Sequence, residues 1–586
     1  MALQGSEAMQ LQVSVTLLSN TPVIGYKIDP TVLVNPTENA PPHSLVFTWC
    51  RENNICSVHH DKICNIQCTS CVKLNIPIER SCHCSTECYM KAWQRHKVEH
   101  RDASDAVGKD STGNQEAVRK HRSSGSWTDF SNISVLDESA MVVEEEWKVW
   151  VKVASSKTYV PTLEDCGFRL RLQSVAVDSS QCIHLSPVNV VVTDPVIKPP
   201  SPRKMIRLQK SLNLNHKAKS SNEVVFSVLS YNILADLYCP CSDTFSYCPT
   251  WAVAWEYRRE NLLKEIIEYD ADILCLQEVQ SNHFEDFLKP ELTKHGYSVM
   301  YKKKSRAVYT ASKFTYDGCA TCYRSKLFKE IMKYEIEFDK AAASVVDALE
   351  PEIREKGSIR LLKDNIALVV VLESLQNGSN SDAFQSRICV ANTHIHANPN
   401  FPDVKLYQVS KLVNGLEKIA QSHIPLIICG DINSLPGSDP HIFVVRGSVN
   451  CTPEKENDPL GIYQYLKLHH SLSLVSAYTS FFLSDGVEEH LKKMNCGTKE
   501  PVFTNFTQKF CGTLDYIFYT DDSLIVESLL ELLDRESIGI GLPSRFWSSD
   551  HIALMARFRL KPPSLLGPSP RPLPPNPWPQ LAAPEQ

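Results

Sequence analysis

Six segments beyond residue 224 place an acidic, amide or imidazole side chain at or just after a strand-like apolar run. These side chains are Asn232, Glu278, His394, Asp431 with Asn433, Asp515, and Asp550 with His551. The set is rich in oxygen donors and free of cysteine, which favours Mg²⁺ or Mn²⁺ over Zn²⁺. A hard cation among carboxylates suits phosphoryl chemistry, because it neutralises phosphate oxygens, orients water and stabilises the leaving oxygen. The two histidines could donate hydrogen bonds to the transition state.

No single segment is strong evidence alone. A strand-end glutamate is usually only solvated, and an isolated Gly-Asp-x-Asn is more often a turn than a site. Found together and in this order, the six segments indicate one active site.

Buried strands are expected to position these side chains. WEYRRENLLKEIIEY predicts a helix with Leu262, Leu263, Ile266 and Ile267 on one face. ADILCLQEV follows as a buried strand, and SRICVANTH, PLIICGDIN, LDYIFY and IALMARFRL predict further strands. All but the last run into polar residues, and α/β proteins place their chemistry at the carboxyl ends of buried strands.

A second candidate site is a block of cysteine and histidine pairs between residues 56 and 100. The pairs are Cys56 with His59, Cys68 with Cys71, Cys84 with Cys88, and His96 with His100. Eight ligands in four pairs suit two tetrahedral zinc ions. About 45 residues build little core without such a cross-link, so zinc is favoured over a chance group of buried or redox thiols. Cys64 and Cys82 remain as alternative ligands.

Length and composition limit the class of protein. At about 150 residues per domain, the chain predicts two to four domains. With 43% apolar and 22% charged residues, it is not a fully disordered chain, a collagen or a coiled-coil rod. A net charge of -6 excludes a histone-like protein, although a local patch can still bind phosphate. No apolar run approaches the roughly 20 residues that span a bilayer, so no membrane partner is expected.

Cysteine usage predicts a reducing compartment. The N-terminus lacks the pattern of a secretory signal. The 21 cysteines are therefore expected to be thiols or metal ligands rather than disulfides.

Composition shifts divide the chain into seven segments. They are a β-rich region (1–55), the cysteine block (56–100), a polar linker (101–140), a second β-rich region (141–194), a basic proline-containing linker (195–222), a large α/β domain (223–561) and a proline-rich disordered tail (562–586). The two β-rich regions could be halves of one sandwich that the cysteine block interrupts. The basic linker could instead be an arm that follows a polyanion.

Motifs across 224–560 resemble the catalytic domain of the carbon catabolite repressor protein 4 deadenylases. The motifs include SYNILADLYC, ADILCLQEVQ, DGCAT, NTHIHANPNFPDVKLYQ, ICGDINSLPGS, FTNFTQKFCGTLDYIFY and SSDHIAL. This group belongs to the endonuclease/exonuclease/phosphatase superfamily, so the resemblance implies a four-layer α/β sandwich. It also implies a Mg²⁺-dependent 3′-to-5′ exoribonuclease that shortens single-stranded poly(A) tails of mRNA and releases 5′-AMP.

The resemblance also implies roles for the strand-end residues. Glu278 would hold the first of two Mg²⁺ ions, and Asp431 would activate water and touch the second. Asn433 would bind the scissile phosphate or the base and would be a further Mg²⁺ ligand. The other expected metal and hydrogen-bonding ligands are Asn232, Asp515 and Asp550. His394 and His551 would stabilise charge on the phosphate.

A substrate pocket is implied beside the metal ions. Phe510 would stack on an adenine, and Asn505 and Pro399 would line the same pocket, with Asn433 and His394 also contacting substrate. Without the family, Phe510 could equally be a core residue. The basic run 302–306 predicts either a solvated loop or a hold on the RNA backbone.

The cysteine block resembles a MYND zinc finger, as in plant members of the same group. In that family the pairs interleave, which implies one zinc ion on Cys56, His59, Cys84 and Cys88. The second would lie on Cys68, Cys71, His96 and His100. Such modules bind proline-containing peptides, so this one is expected to dock the enzyme onto protein subunits of a deadenylase complex.

Two rival functions stay open at this point. A related phosphatase could act on a nucleotide or another small phosphoester with the same metal site. A catalytically silent scaffold could act through the zinc module alone. The expected location is cytoplasmic, including foci of mRNA decay, with a nuclear pool as a second location.

Overall fold

The structure is a computed structural model of the chain. The residues it describes are 11–35, 42–107, 127–129, 141–145, 148–178, 183–208, 224–239, 244–310, 313–375, 387–450, 457–561 and 572–578. The chain divides into two compact units, Met1–Pro200 and Ser201–Gln586. Within the described ranges, no helix combines the length and apolarity needed to cross a membrane.

The first unit is built on an antiparallel sheet. Its strands are β1 Gln12–Thr16, β2 Thr31–Asn35, β3 His43–Asn54, β4 Ile66–Cys68, β5 Cys82–His83, β6 Trp127–Asp129, β7 Met141–Glu145, β8 Lys148–Ala154, β9 Arg169–Asp178 and β10 Asn189–Pro195. Five of them pair in the order β10-β9-β3-β8-β7. Because β3 precedes the cysteine block and its partners follow it, the two predicted β-rich regions share one sheet. Trp49 and Leu172 of this sheet pack against Val15 of the β1-β2 hairpin.

The cysteine block folds as a small module of the first unit. Its helices are α1 Thr69–Lys73, α2 Ile78–Ser81 and α3 Thr86–Val107. Strand β4 pairs with β5 and with β6. The last turns of helix α3, residues 101–107, and strand β6 lie inside the predicted linker 101–140, so that segment is not wholly a linker. Its residues extend a ligand-bearing helix and supply an edge strand.

A disulfide joins Cys64 and Cys82, with Cα atoms 5.6 Å apart. The expectation of thiols or metal ligands only is therefore wrong for this pair. The pairing of β4 with β5 brings the two cysteines together, and it also removes them as alternative metal ligands.

The second unit contains two larger sheets. Its strands are β11 Met205–Arg207, β12 Val225–Asn232, β13 Ile273–Gln277, β14 Tyr297–Lys303, β15 Val308–Thr310, β16 Lys313–Thr315, β17 Gly318–Arg324, β18 Phe328–Glu337, β19 Ile366–Ser374, β20 Arg387–His394, β21 Leu426–Asp431, β22 Leu474–Ser476, β23 Asn505–Phe506, β24 Cys511–Gly512, β25 Asp515–Thr520, β26 Leu524–Leu530 and β27 Leu554–Leu560. The first sheet runs β11-β26-β27-β12-β13-β17-β14, and the second runs β18-β19-β20-β21-β25-β22. One parallel pair lies at the centre of each sheet, β12 with β13 and β20 with β21.

Helices pack around the two sheets, mostly on their outer faces. They are α4 Thr250–Val253, α5 Trp255–Tyr269, α6 Ser281–His283, α7 Lys289–Lys294, α8 Phe338–Ala348, α9 Pro351–Leu361, α10 Pro402–Ala420, α11 Asp439–Arg446, α12 Glu488–Leu491 and α13 Arg535–Ile538. Helix α5 packs on the first sheet through Leu262 and Ile266. Helix α10 packs on the second through Leu412 and Leu416.

The four layers arise because successive side chains along each strand point to opposite faces of the sheet. Ile273 and Ile427 face each other in the core between the sheets. Their neighbours Leu274 and Ile428 point outward into the two helical layers. Side chains of a strand alternate between faces, so strands apolar on both sides belong between two packed layers. The predicted four-layer α/β sandwich is confirmed.

Two segments predicted to be unstructured contribute to this unit. In the predicted linker, β11 pairs with β26 at the edge of the first sheet. Just before it, the buried guanidinium of Arg203 donates hydrogen bonds to the carbonyl oxygens of Glu531 and Ala553. In the predicted disordered tail, Leu573 and Trp578 pack against the core of the second sheet. The expectation of a linker is wrong at β11, which completes the edge of the first sheet. The expectation of a disordered tail is wrong at Leu573 and Trp578, whose apolar side chains pack against the second sheet's core.

A buried polar contact connects the two sheets beneath the candidate site. The amide nitrogen of Gln277, on the first sheet, lies 2.8 Å from the amide oxygen of Asn392 on the second. The Asn392 nitrogen in turn donates to the carbonyl oxygens of Ala320 (2.9 Å) and Leu276 (3.2 Å). Buried amides are costly unless paired, so this contact fixes the register of one sheet against the other.

Candidate active site

Residues at the same edge of the two sheets form the candidate site. Asn232 ends β12, and Glu278 directly follows β13. His394 ends β20 and Asp431 ends β21, where β25 begins with Asp515 as the pairing partner of Asp431. Neighbouring parallel strands end at one edge of a sheet, and this brings together residues far apart in the sequence. The strand-end residues predicted from the sequence thus meet in space.

The backbone at two of these residues is left-handed. Glu278 has φ 54° and Asn433 has φ 49°. Asparagine tolerates this conformation, but for glutamate it is strained and needs support from its surroundings. The support for Glu278 is a hydrogen bond from the backbone N–H of Ala235 to its Oε2, at 3.0 Å. The strain turns the carboxylate out of the strand and towards the site.

Asn232 links the carboxylates of the two sheets. Its side-chain nitrogen lies 3.0 Å from Oε1 of Glu278 and 3.1 Å from Oδ2 of Asp431. Its side-chain oxygen accepts the N–H of Leu234 at 3.0 Å, which orients the amide. Two acidic groups therefore share one amide donor, and this holds them in a fixed relation.

The imidazole of His551 and the carboxylate of Asp515 form a buried pair at the same site. His551 Nδ1 lies 2.7 Å from Oδ2 of Asp515. Burial acts to lower the pKa of His551, but the charges of Asp515 and Asp550 outweigh it and hold that pKa well above its usual value. The imidazole is therefore protonated, and its Nε2 lies 3.7 Å from Oδ2 of Asp431.

The second histidine of the site has the opposite protonation. His394 Nε2 lies 3.6 Å from Oδ2 of Asp431. Burial, with the charges of Lys304 and His551, lowers the pKa of His394 well below its usual value. Its Nδ1 is buried without a protein hydrogen-bond partner. A neutral imidazole with an unused nitrogen is available for a ligand.

The carboxylates fit a bound divalent cation. Burial, followed by the charges of Asp550 and Asp317, raises the pKa of Glu278 to about 7. Burial and the charge of Asp515 raise the pKa of Asp431 to about 7 as well. Oδ1 of Asp515 and Oδ1 of Asp550 are buried without a protein hydrogen-bond partner. Unpaired, buried carboxylate oxygens are what a hard cation requires.

One set of possible ligand atoms is compact, but the protonated His551 would have to lose a proton before it could bind an ion. Atoms of Asp431, Asp515 and His551 lie within 4.8 Å of one another. The predicted Mg²⁺ ligand Glu278 is not part of this set. The side-chain nitrogen of Asn232 contacts both Glu278 and Asp431 and so lies between the two carboxylates. Asn433, also predicted as a ligand, instead donates its side-chain N–H to the carbonyl oxygen of Ile395 at 2.9 Å.

A cavity of about 580 Å³ opens next to the carboxylates. Its wall includes Asn433 and Leu514, which are close in sequence to Asp431 and Asp515. The predicted substrate residues Phe510 and Pro399 line it too. Phe510 is 38% exposed, so the alternative of a core phenylalanine does not hold. The cavity offers a flat aromatic face beside the candidate metal site.

Asn505 does not take the place predicted for it. It is absent from the wall of this cavity. Its amide instead donates a hydrogen bond to Oδ2 of Asp550 at 3.0 Å. The short strand β23 pairs with β24 and bridges to His551, which turns Asn505 towards the carboxylates. Its role is therefore to orient Asp550.

Lys304, a buried lysine near Glu278, fits neither of the two interpretations of the basic run 302–306. Lys304 is 6% exposed, and its ammonium lies 2.7 Å from Oδ2 of Asp317. It also contacts the hydroxyl of Tyr238 at 3.3 Å. Lys304 is neither solvated nor free to hold RNA, and its charge opposes the rise in the pKa of Glu278. The partner Asp317 lies in the DGCAT motif, but no sequence pattern pairs it with Lys304.

Sequence reasoning also missed Arg258, which supports the loop before the site. Its fully buried guanidinium donates to the carbonyl oxygens of Ile233 (3.2 Å), Leu234 (2.9 Å) and Ser548 (3.2 Å). It thereby ties the segment after Asn232 to the segment before Asp550. In the sequence it looks like an ordinary helix-surface arginine.

The cysteine and histidine pairs of the first unit gather into two groups. The groups are Cys56, His59, Cys84 and Cys88, and Cys68, Cys71, His96 and His100. Within them, Cys84 Sγ lies 3.3 Å from His59 Nδ1, and Cys71 Sγ lies 3.0 Å from His100 Nε2. Burial and the neighbouring Cys68 raise the pKa of Cys71 to about 12, so its thiolate needs a cation to form at neutral pH. The interleaved grouping implied by the resemblance is confirmed.

Comparisons with known proteins agree with this architecture. The Endonuclease/Exonuclease/phosphatase family matches residues 229–551. Carbon catabolite repressor protein 4 homolog 1 of Arabidopsis thaliana is 42% identical over 594 residues, covering 94% of this chain and 98% of that protein. The CCR4-Not complex 3′-5′-exoribonuclease subunit Ccr4 of Saccharomyces cerevisiae is 34% identical, covering 58% of this chain and 40% of its own. The structure of ANGEL2, a 2′,3′-cyclic phosphatase, is 29% identical, with TM-score 0.47 over 61% of this chain and 98% of that one.

The raised pKa values predict how stability depends on pH without a metal ion. Because the pKa of Glu278 is about 7 in the folded protein, the folded state holds this proton more tightly than the unfolded chain does. Stability in EDTA should therefore fall as pH rises from about 4.5 to about 7, by on the order of 3 kcal/mol from this group. Urea unfolding at pH 5 and pH 8 measures the fall, and Glu278→Gln should reduce it.

The exposed neighbour Glu285 provides the control. Glu285→Gln should retain the full loss of stability between pH 5 and pH 8, since this side chain is 57% exposed. Added Mg²⁺ should restore the stability of the natural protein at pH 8. An equal loss in the Glu278→Gln variant would show that Glu278 is not the titrating group.

Proposed function

We propose that this chain, which belongs to the endonuclease/exonuclease/phosphatase family and within it to the carbon catabolite repressor protein 4 group, is a Mg²⁺-dependent poly(A)-specific 3′-to-5′ exoribonuclease. It removes adenosines from the tails of mRNA and releases 5′-AMP. The observation that carries the proposal is the aromatic-lined cavity directly beside the buried carboxylates. A base bound in this cavity would bring the phosphoester attached to it close to the carboxylates.

The buried carboxylates are the proposed holders of Mg²⁺. Glu278, Asp431 and Asp550 would bind it, with Asn232 and Asp515 completing the surroundings. Mg²⁺ held by these residues would neutralise charge on the phosphate oxygens and on the leaving oxygen. Hydrolysis adds water across the terminal phosphodiester, and the 3′-oxygen of the penultimate nucleotide leaves.

The protein's own groups handle the protons of this reaction. Asp431, whose Oδ2 lies 3.6 Å from Nε2 of His394 and 3.7 Å from Nε2 of His551, would orient the attacking water and accept its proton. His551, held protonated by Asp515, directs Nε2–H into the site and can hydrogen-bond a phosphate oxygen. His394 adds a second imidazole from the other sheet. Asn232 keeps Glu278 and Asp431 in place during the reaction.

Adenine recognition is assigned to the cavity. Phe510 presents an exposed ring for stacking, and Pro399 lies on the same wall. Asn433 links the cavity to the catalytic carboxylates, because its backbone N–H donates to Oδ1 of Asp431 at 2.9 Å. Lys405 lines the cavity as well and donates its ammonium N–H to the carbonyl oxygen of Asn433 at 2.6 Å.

We also propose that the chain works as a subunit of a deadenylase complex. The relatives from Mycosarcoma maydis and Saccharomyces cerevisiae are named as subunits of the CCR4-Not complex, which supports this assignment. The zinc module would provide the contact with the other subunits, in the manner of a MYND finger. A location in the cytoplasm, including foci of mRNA decay, with a nuclear pool, stays a prediction.

Activity on labelled RNA tests the proposed function. A 5′-labelled RNA ending in adenosines should shorten from its 3′ end in Mg²⁺, faster than one ending in cytidines, and remain intact in EDTA. Glu278→Gln should lower kcat/KM by about 10²–10³ because it removes a charged metal ligand. The exposed control Glu285→Gln should act like the natural protein. Release of inorganic phosphate rather than AMP would point instead to a phosphatase.

Phe510→Ala should relax the preference for adenine. Loss of stacking costs about 1–3 kcal/mol per base, so kcat/KM on a 3′-terminal adenosine should fall by roughly 5- to 150-fold. The fall on a terminal cytidine should be smaller, since its ring stacks less. Phe314→Ala is a matched control, because Phe314 is an exposed phenylalanine outside the cavity wall. An unchanged ratio of the two substrates would remove Phe510 from base recognition.

The two cysteine groups predict two zinc ions per chain. Elemental analysis of the purified protein should give a zinc-to-protein ratio near two. Cys71→Ser and Cys84→Ser should each lower this ratio by about one, because each removes one thiolate from a different four-ligand set. Cys166→Ser, a free cysteine outside both groups, should leave it unchanged. A ratio of one zinc ion per chain in the natural protein would mean that one of the two groups binds no zinc.

A further inference from the structure

A proline-rich segment near the C-terminus lies in a groove of the catalytic unit. The segment is 572–578, with sequence PLPPNPW. Tyr334 on β18 and three residues in or just after α10, namely Lys411, Gly415 and Ser422, contact it. We call this surface the tail groove. Residues 562–571 connect the segment to the end of β27 and lie outside the described residues.

The tail groove offers hydrogen bonds matched to a proline-rich ligand. Prolines have no N–H, so such a segment presents mainly carbonyl oxygens. The hydroxyl of Tyr334 donates to the carbonyl oxygen of Pro574 at 2.8 Å. The hydroxyl of Ser422 donates to the carbonyl oxygen of Pro572 at 3.1 Å. Two protein hydroxyls therefore serve two ligand carbonyls.

Trp578 anchors the segment. Its indole N–H donates to the carbonyl oxygen of Lys411 at 3.0 Å. Its ring meets the ring of Tyr334 edge to face, with centroids 5.7 Å apart. Pro577 beside it is buried, and Leu573 packs against the same core. A large aromatic side chain with a satisfied polar atom is the usual anchor of a peptide in a groove.

Gly415 provides the space for this anchor. It lies in the interior of α10, where glycine weakens a helix compared with alanine. A Cβ atom at this position would overlap Nε1 and Cε2 of Trp578. The glycine therefore has a packing reason, which is to let the indole lie directly on the helix backbone.

We infer that the tail groove is a binding site for a proline-rich peptide with a tryptophan anchor, and that the chain's own segment 572–578 occupies it. The groove binds the same sequence when it is supplied as a separate peptide. The ten residues 562–571 tether the segment to the end of β27, which gives the segment an effective concentration at the groove of about the millimolar range, so the site is filled in the natural protein. An added peptide must compete with that concentration.

A pair of substitutions in the full chain tests the fit between Gly415 and Trp578. Trp578→Ala should lower the melting temperature of the catalytic unit. Gly415→Ala should also lower it in the natural protein, because the methyl group displaces the indole. In the Trp578→Ala background the same Gly415→Ala change should raise it, since alanine favours the helix and no ring is displaced. The exposed tail residue Pro575 gives the control, and Pro575→Ala should have no effect.

The sign of the Gly415 effect decides the first part of the inference. If Gly415→Ala has the same sign in both backgrounds, the indole does not lie on the helix and the inference is wrong. A full chain in which Trp578→Ala leaves the melting temperature unchanged would also overturn it.

Binding of a free peptide tests whether the groove has its own affinity. The probe is a fluorescein-labelled peptide of residues 570–580, measured by fluorescence anisotropy. It should bind the Trp578→Ala chain at least tenfold more tightly than the natural chain, whose groove is filled. The same peptide with alanine for tryptophan should not bind, and a scrambled peptide should not bind.

A blocked groove completes the second test. Gly415→Leu combined with Trp578→Ala should abolish binding of the peptide, and circular dichroism checks that the chain stays folded. Equal binding to the natural and Trp578→Ala chains, or binding that Gly415→Leu does not affect, would overturn the inference. Failure of the exoribonuclease assay would leave this result untouched, because the test measures neither RNA nor catalysis.

Discussion

Burial of several carboxylates in one place is the constraint on which the catalytic unit depends. Glu278, Asp431 and Asp515 lie together where strands of the two sheets end, and burial together with the charges of Asp515 and Glu278 raises the pKa of Asp431. The protein offsets part of this cost with the Asn232 amide and the protonated His551. The remaining excess of negative charge is left for a cation. A site of this kind cannot be stable on flexible loops, so it lies at the ends of strands.

The polar contact beneath the site shows how the strands hold those carboxylates. Gln277 immediately precedes Glu278, and Asn392 lies two residues before His394. Residues two apart in a strand share a face, so fixing Asn392 between the sheets also directs His394 inward. The hydrogen bond between Gln277 and Asn392 thus fixes which faces of the two strands are turned towards each other and how far apart the strands lie. Apolar residues on both sides supply the stability that this polar layer does not.

Sequence reasoning reached the strand-end residues because their signal is local. An apolar run followed by Asp, Glu or His predicts both a strand and the end of that strand, as at Asp431. It failed where the outcome depends on a distant partner. Burial of Lys304 requires Asp317, and the direction of Asn505 depends on a bridge to His551. Proline content correctly predicts a segment without regular hydrogen bonding, but it cannot reveal a groove whose hydroxyls bind its carbonyls.

Helix α10 connects the cavity beside the carboxylates with the tail groove. Near its start, Lys405 lines the cavity, and Asp403 forms a bidentate ion pair with Arg360, with both contacts at 2.7 Å. A buried, bidentate pair fixes direction as well as distance, and a carboxylate in the first helical turn also favours the helix dipole. Further along, Trp578 rests on Gly415. The helix is therefore held at two points independent of any substrate, so the wall of the cavity is formed by the fold before RNA arrives.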